Sequence, residues 1–158
     1  MRTVVLCLGN DLLADDGIGM RAADRLREAL VGQVDIVATA QSGLALMDHL
    51  LGYERAIIVD AIHTGTRSAG TIRRLSANEL STTFSPSPHY AGLPEMFAIA
   101  GSLSLTFPSR VDLLAIEVTD THTIGGRISE QVMASLDLLV KEVEVILTED
   151  RIGAGIHA

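Results

Sequence analysis

The sequence predicts an α/β domain built on a largely parallel sheet of about five strands. Three observations lead there. Short strand-like apolar runs alternate with helical stretches along most of the chain. The first run is apolar without alternation, as in a strand covered on both faces. The 158 residues, 47% hydrophobic, suffice for one substantial core but not for two.

The first run, from Thr3 to Leu8, reads as a central strand. Gly9 and Asn10 break it, and from about Asp15 to Leu30 the residues Ile18, Met20, Ala22, Ala23, Leu26 and Leu30 keep mostly helical spacing, ending at Gly32. Val34 to Ala38 predicts a second short strand, and a helix follows Gly43 from about Leu44 to Leu51. A third strand, Arg55 to Asp60, carries Ala-Ile-Ile-Val before a terminal acid. After Gly65 a strand from Thr71 to Leu75 precedes the polar stretch Ser76 to Pro88, whose Ser85-Pro86-Ser87-Pro88 predicts an exposed, ordered loop. A helix from about Gly92 to Ser104, a strand from Val111 to Val118, a turn at Gly125-Gly126 and a helix from about Ser129 to Leu147 complete the pattern. One domain is expected over 1–150, with a frayed, flexible tail over 151–158. No repeat or linker divides the chain.

Charge and composition narrow the function. Twelve basic against 20 acidic residues give a formal charge of -8, and the few cations are scattered, so no basic stripe exists to neutralise a phosphate backbone. With 3% aromatic residues and no Trp, stacking platforms for bases are absent too. No apolar stretch approaches the roughly 20 residues of a bilayer span, and no signal pattern opens the chain. A cytoplasmic protein is expected, without nucleic acid or membrane as partner, and as a monomer. The single cysteine, Cys7, rules out an internal disulfide and a cysteine-rich zinc site, leaving oxygen and imidazole groups to hold any metal.

The segment from Gly9 to Gly19, joining strand one to helix one, holds most of the chemical information. Ligands of open α/β sheets bind beyond the carboxyl ends of the strands, where connections diverge. Gly17 and Gly19 each cost about 1 kcal/mol relative to Ala in a first helical turn, which suggests that something packs close to the backbone. A substrate segment is one candidate. Asp15 and Asp16 have two readings: Asp15 caps the helix and Asp16 answers its dipole, or the pair faces a cation. Phosphate is excluded, since no Gly-x-Gly-x-x-Gly or Gly-Lys-Ser/Thr occurs and the acids would repel it. Asp60, at the end of a second buried strand, lies on the same edge, although an Asp there also serves as a plain turn former.

Five histidines are present. His49 falls on a helix and His157 in the tail, His63 and His122 just past strand ends. His89 follows Ser-Pro-Ser-Pro, where two prolines restrict the loop and fix the imidazole's approach at low entropic cost. A solvated loop histidine is the plainer alternative. Two carboxylates and one imidazole would leave positions on a metal open for water and a substrate carbonyl, enough for amide hydrolysis. Nucleophilic routes are poorer, because Cys7 falls inside a buried strand and no Gly-x-Ser-x-Gly elbow occurs.

At these residues the chain resembles the nickel-iron hydrogenase maturation endopeptidases over nearly its whole length. Val-Val-Leu-Cys-Leu-Gly-Asn-Asp-Leu-Leu-Ala-Asp-Asp-Gly-Ile-Gly-Met-Arg matches the family's first block, Ile-Ile-Val-Asp-Ala-Ile followed by Ala-Gly-Thr its second, and Ser-Pro-Ser-Pro-His-Tyr-Ala-Gly-Leu its third. The resemblance implies a three-layer α/β/α fold with a mixed, mostly parallel sheet, and places Asp16, Asp60 and His89 at the metal-contacting and catalytic positions. The family's first acid is Glu or Asp, and Asp16 is the shorter choice. Asn10, Gly17 and Gly19 would shape the turn around the substrate, and Gly43 would let its backbone approach. The implied activity is removal of the C-terminal extension of a nickel-loaded hydrogenase large-subunit precursor, with nickel supplied by that precursor rather than held as a resident cofactor. The alternative is a nickel-sensing assembly chaperone that inspects the same precursor without cutting it.

Overall fold

A computed structural model describes residues 1–76, 79 and 93–155. Five strands form one sheet: β1 (Thr3–Leu8), β2 (Asp35–Thr39), β3 (Arg55–Ile62), β4 (Ile72–Ser76) and β5 (Arg110–Glu117). Their spatial order is β2-β1-β3-β5-β4. All neighbours run parallel except β4, which lies antiparallel on β5 at the edge. The mixed, mostly parallel sheet expected from the resemblance is present.

Helices cover both faces. Alternate residues of β1 and β3 point to opposite sides. Val5, Cys7, Ile57 and Val59 pack with Ile18, Ala22, Ala23 and Leu26 of α1 (Ile18–Ala29) and with Leu139, Val143 and Ile146 of the last helix. Val4, Leu6, Leu8, Ala56 and Ile58 pack with Leu46, with Leu50 of α2 (Met47–Leu50) and with Met96 of α3 (Leu93–Ser102). These residues of β1 and β3 are buried on both faces, which is why β1 reads as a continuous apolar run.

Several boundaries differ from the sequence reading, each for a local reason. The helix expected from Leu44 begins as a 3-10 turn, Gly43–Leu46, and only then becomes α2. The helix expected over Ser129 to Leu147 is two: α4 (Glu130–Ala134) and α5 (Leu136–Gly155). They part at Ser135, whose N–H (3.1 Å) and hydroxyl (2.6 Å) both donate to the Val132 carbonyl. α5 continues past the expected end near Leu147 to Gly155. β3 runs two residues beyond Asp60, because Ala61 and Ile62 pair with Ile116 and Glu117 of β5. The Ser-Pro-Ser-Pro loop and His89 lie outside the described residues, as does His157.

The amino-terminal edge of the sheet is closed by charge. Arg55, 1% exposed, donates to Asp112 Oδ2 at 2.6 Å, and Arg74 Nε donates to Asp112 Oδ1 at 3.0 Å. Arg74 also grips Glu149 of α5 through both terminal nitrogens, at 3.1 and 2.8 Å. Burial and the neighbouring Arg110 cation pull the Arg55 pKa down, with Asp112 opposing them. Among the described residues the opposite, carboxyl edge carries no such set of ion pairs, and it is where the connections diverge.

Candidate active site at the carboxyl edge of the sheet

β1 sits between β2 and β3, so the chain leaves β1 toward one side and later returns to flank it on the other. A crevice opens at such a reversal, beyond the strands' carboxyl ends. The β1–β3 ladder stops at the pair Cys7–Val59. Asp60 is therefore the first residue of β3 left without a β1 neighbour, although it is still paired to Ala115 on the β5 side. The sequence reading had Asp60 ending its strand; it lies two residues inside, yet still at the mouth. Its side chain is fully buried and on the α2–α3 face, with Oδ1 accepting the Ala61 N–H at 2.8 Å.

Asp16 reaches the same edge from the other strand. A 3-10 turn, Ala14–Gly17, links β1 to α1 and packs against β3. Asp16 is 8% exposed, and its Oδ2 accepts the Asn10 N–H at 2.9 Å. Asn10 shapes the turn as expected: its side-chain oxygen takes the Leu12 N–H at 3.0 Å and its carbonyl the Leu13 N–H at 3.1 Å. The turn starts at Ala14 with φ of 38°, a left-handed conformation costly for a residue with a Cβ. Gly126 makes room for it, since a Cβ there would stand 2.9 Å from that of Ala14.

The glycines divide. A Cβ at Gly19 would fall 2.0 Å from the Leu8 carbonyl oxygen, so the close approach anticipated there is made by the chain's own first strand rather than by a substrate. At Gly17 the nearest neighbour is Asp11, 3.2 Å away, and Gly17 also lines an open cleft. Gly43 has φ of 61°, so its backbone conformation alone favours glycine.

Asp15 and Asp16, adjacent in sequence, have separate tasks. No side chain caps the turn or α1. Instead the buried Asp15 carboxylate reaches across to the segment after β5: Oδ1 accepts the Ser129 N–H at 2.7 Å, while Oδ2 takes Thr119 N–H (3.1 Å), Thr119 hydroxyl (3.2 Å) and Asp120 N–H (3.1 Å). Burial pushes its pKa up, but these donors outweigh burial and hold it below the ordinary value. Backbone bonds from Asp15 to the Asp120 carbonyl and from Gly125 to the Leu12 carbonyl, with a Leu13–Ile124 bridge, complete the junction.

Replacing Asp15 with Asn turns part of this acceptor surface into a donor facing N–H groups, and is expected to cost about 2–3 kcal/mol. A lowered carboxyl pKa contributes stability that is complete above the unfolded value, near 4, and is lost as pH falls through the folded value. The gap in urea midpoint between wild type and Asp15→Asn is therefore expected to narrow between pH 7 and pH 3. An equal gap at both pH values contradicts the assignment.

Sequence reasoning missed Glu117. It closes β5 on the Asp60 face, 1% exposed, and Oε1 accepts from Thr64 N–H (3.0 Å), Thr64 hydroxyl (2.7 Å) and Gly65 N–H (3.0 Å). It thus fastens the connection that follows Asp60. An acid ending the run Leu-Leu-Ala-Ile-Glu is the signal that was available. Of the other histidines, His63 and His122 are exposed, and His49 bonds Gln41 Oε1 at 2.7 Å. Cys7 is inert: burial pushes its thiol up to about 12. Among the described residues no three His, Cys, Asp or Glu side chains group closely enough to hold a metal.

Comparison with known proteins places this architecture. The family model described as hydrogenase maturation protease matches residues 20–146. The hydrogenase 2 maturation protease of Escherichia coli (strain K12) is 31% identical over 150 residues, covering 86% of this chain and 91% of that protein. A hydrogenase expression/formation protein, HupD, of Rhodobacter capsulatus is 28% identical, covering 89% and 69% of the two chains. The solved hydrogenase maturating endopeptidase HybD from E. coli superposes with a TM-score of 0.80 at 27% identity, over 95% of this chain and 94% of that one. The [NiFe] hydrogenase maturation protease HybD from Thermococcus kodakarensis gives a TM-score of 0.76 at 25% identity, over 93% and 99%.

Proposed function

From the premise that this chain belongs to the hydrogenase maturation protease family, we propose that it is an endopeptidase that removes the C-terminal extension of a nickel-loaded hydrogenase large-subunit precursor. The observation that carries the reading is that Asp60, inside β3, and Asp16, on the 3-10 turn that follows β1, lie at one carboxyl edge of the sheet where the connections diverge. Asp16 and Asp60 contribute hard oxygen donors toward the nickel carried by the precursor, and His89 adds the nitrogen donor. Nickel held there would also be placed to polarise the scissile carbonyl and ease deprotonation of water beside it.

The chain's own part is orientation. Asn10 holds the Asp16 carboxylate through its N–H, and the Ala61 N–H holds that of Asp60, so neither acid needs to reorganise when the precursor arrives. Asp15 and Glu117 secure the segments on either side. Because nickel comes with the substrate, the enzyme inspects the metal and cuts only loaded precursor. The reaction belongs in the cytoplasm, and no helix among the described residues is long and apolar enough to cross a membrane.

Incubating purified protein with nickel-loaded precursor and weighing the product intact tests this directly. Loss of the mass of one C-terminal fragment is the expected result. A stable complex with precursor of unchanged mass overturns it in favour of a non-cleaving chaperone.

A further inference from the structure

Beside the turn that bears Asp16 lies an open cleft of about 520 Å³. Ala14 and Gly17 of that turn line one end, so the cleft begins within two residues of Asp16. Met20, Ile128 and Met133 give it apolar walls, and Arg21 and Arg127 add two guanidinium groups. Neither arginine meets a carboxylate among the described residues. Of the two acids in the lining, Asp24 is engaged by Arg27 at 3.1 Å, leaving Asp11 against two uncommitted cations. Two guanidinium groups that meet no carboxylate among the described residues suit a ligand that carries carboxylate.

The walls do not yield easily. The Asp15 bonds to Asp120 and Ser129 fix both ends of the segment that carries Arg127 and Ile128. The Gly125–Leu12 backbone bond and the Leu13–Ile124 bridge tie that segment to the turn, with Leu12 and Ile124 65% and 82% exposed.

We propose that this cleft receives the C-terminal extension of the precursor, seating its apolar side chains against Met20, Ile128 and Met133 and its carboxylates, terminal or side-chain, on Arg21 and Arg127. The proposal rests on the endopeptidase reading above. Guanidinium groups suit the task, being permanently charged and able to grip a carboxylate with two parallel bonds. The extension is then held on the outer side of the turn while the nickel-bearing part faces Asp60, and the peptide bond between them is drawn across Asp16.

The test compares wild type with the double variant Arg21→Glu, Arg127→Glu, both positions being exposed and outside the core. On nickel-loaded precursor KM is expected to rise about tenfold with kcat changed less than about twofold. A fluorescein-labelled synthetic peptide of the extension, titrated by anisotropy, is expected to bind the variant about tenfold more weakly than wild type. Arg21→Lys, Arg127→Lys should fall between the two, since charge remains and the fork is lost. Unchanged KM and unchanged peptide affinity in the glutamate variant overturn the proposal. The anisotropy arm needs no cleavage, so a wild type that binds peptide yet cuts nothing defeats the endopeptidase reading and leaves this one standing.

Discussion

Asp60→Asn is expected to reduce precursor cleavage by about 10²-fold or more, the scale on which single groups in contact with a reacting centre act. The change is nearly isosteric. The amide oxygen can still accept the Ala61 N–H, and Val59, Ala61 and their β5 partners keep their pairing. On the proposed reading, what is lost is a negative charge toward the nickel and one strong oxygen donor. Asp16→Asn should act the same way, since its remaining oxygen can keep the Asn10 contact. In cells both variants should accumulate uncleaved precursor. Thermal melts should stay close to wild type, because each substitution removes a buried charge without opening a cavity. Wild-type processing by both variants would remove these acids from the chemistry.

The second large effect lies at the other end of the sheet. Asp112→Ala removes the carboxylate that both Arg74 and the buried Arg55, 1% exposed, bond. Breaking one side of such a pair typically costs about 3–5 kcal/mol, which should appear as a clear fall in urea midpoint at unchanged slope. Asp112→Leu combined with Arg55→Met is expected to recover most of that loss, because an apolar pair of similar volume avoids desolvating charge. Cleavage by folded Asp112→Ala should be near normal, since Arg55 begins β3 and Asp60 lies roughly 16 Å further along it. A stability unchanged by Asp112→Ala means the network holds nothing in place.

The two acids and the edge they occupy could be read from the sequence because burial on both faces writes itself as unbroken apolar runs. Thr3 to Leu8 and Ala56 to Val59 are such runs, and the polar residues that follow them sit at the carboxyl edge of a parallel sheet. What could not be read is which acid does what. Asp15 and Asp16 look alike as letters, but only the returning chain at Thr119, Asp120 and Ser129, more than 100 residues away, makes the first a fastener and leaves the second at the mouth. Gly19 was similarly ambiguous: the demand for a missing side chain was legible, while the occupant, Leu8, became visible only with α1 laid on β1. Glu117 ends an apolar run as Asp60 does, but its role depends on the register that sets it opposite Ile62, which only the folded sheet reveals. Helix ends were misjudged where hydrogen bonding rather than periodicity decides them, as at Ser135. His89, chosen for its proline-stiffened approach, falls outside the described residues, so its place beside the two acids stands as a proposal.

The most direct test of the central claim, that Asp16 and Asp60 act on nickel carried by the substrate, is the cleavage rate of one precursor prepared with and without nickel and followed by intact mass. Cutting of the loaded form alone, restored to the nickel-free form when the metal is inserted, is the expected result. Equal cutting of both forms contradicts the account and leaves an ordinary peptidase on the same fold.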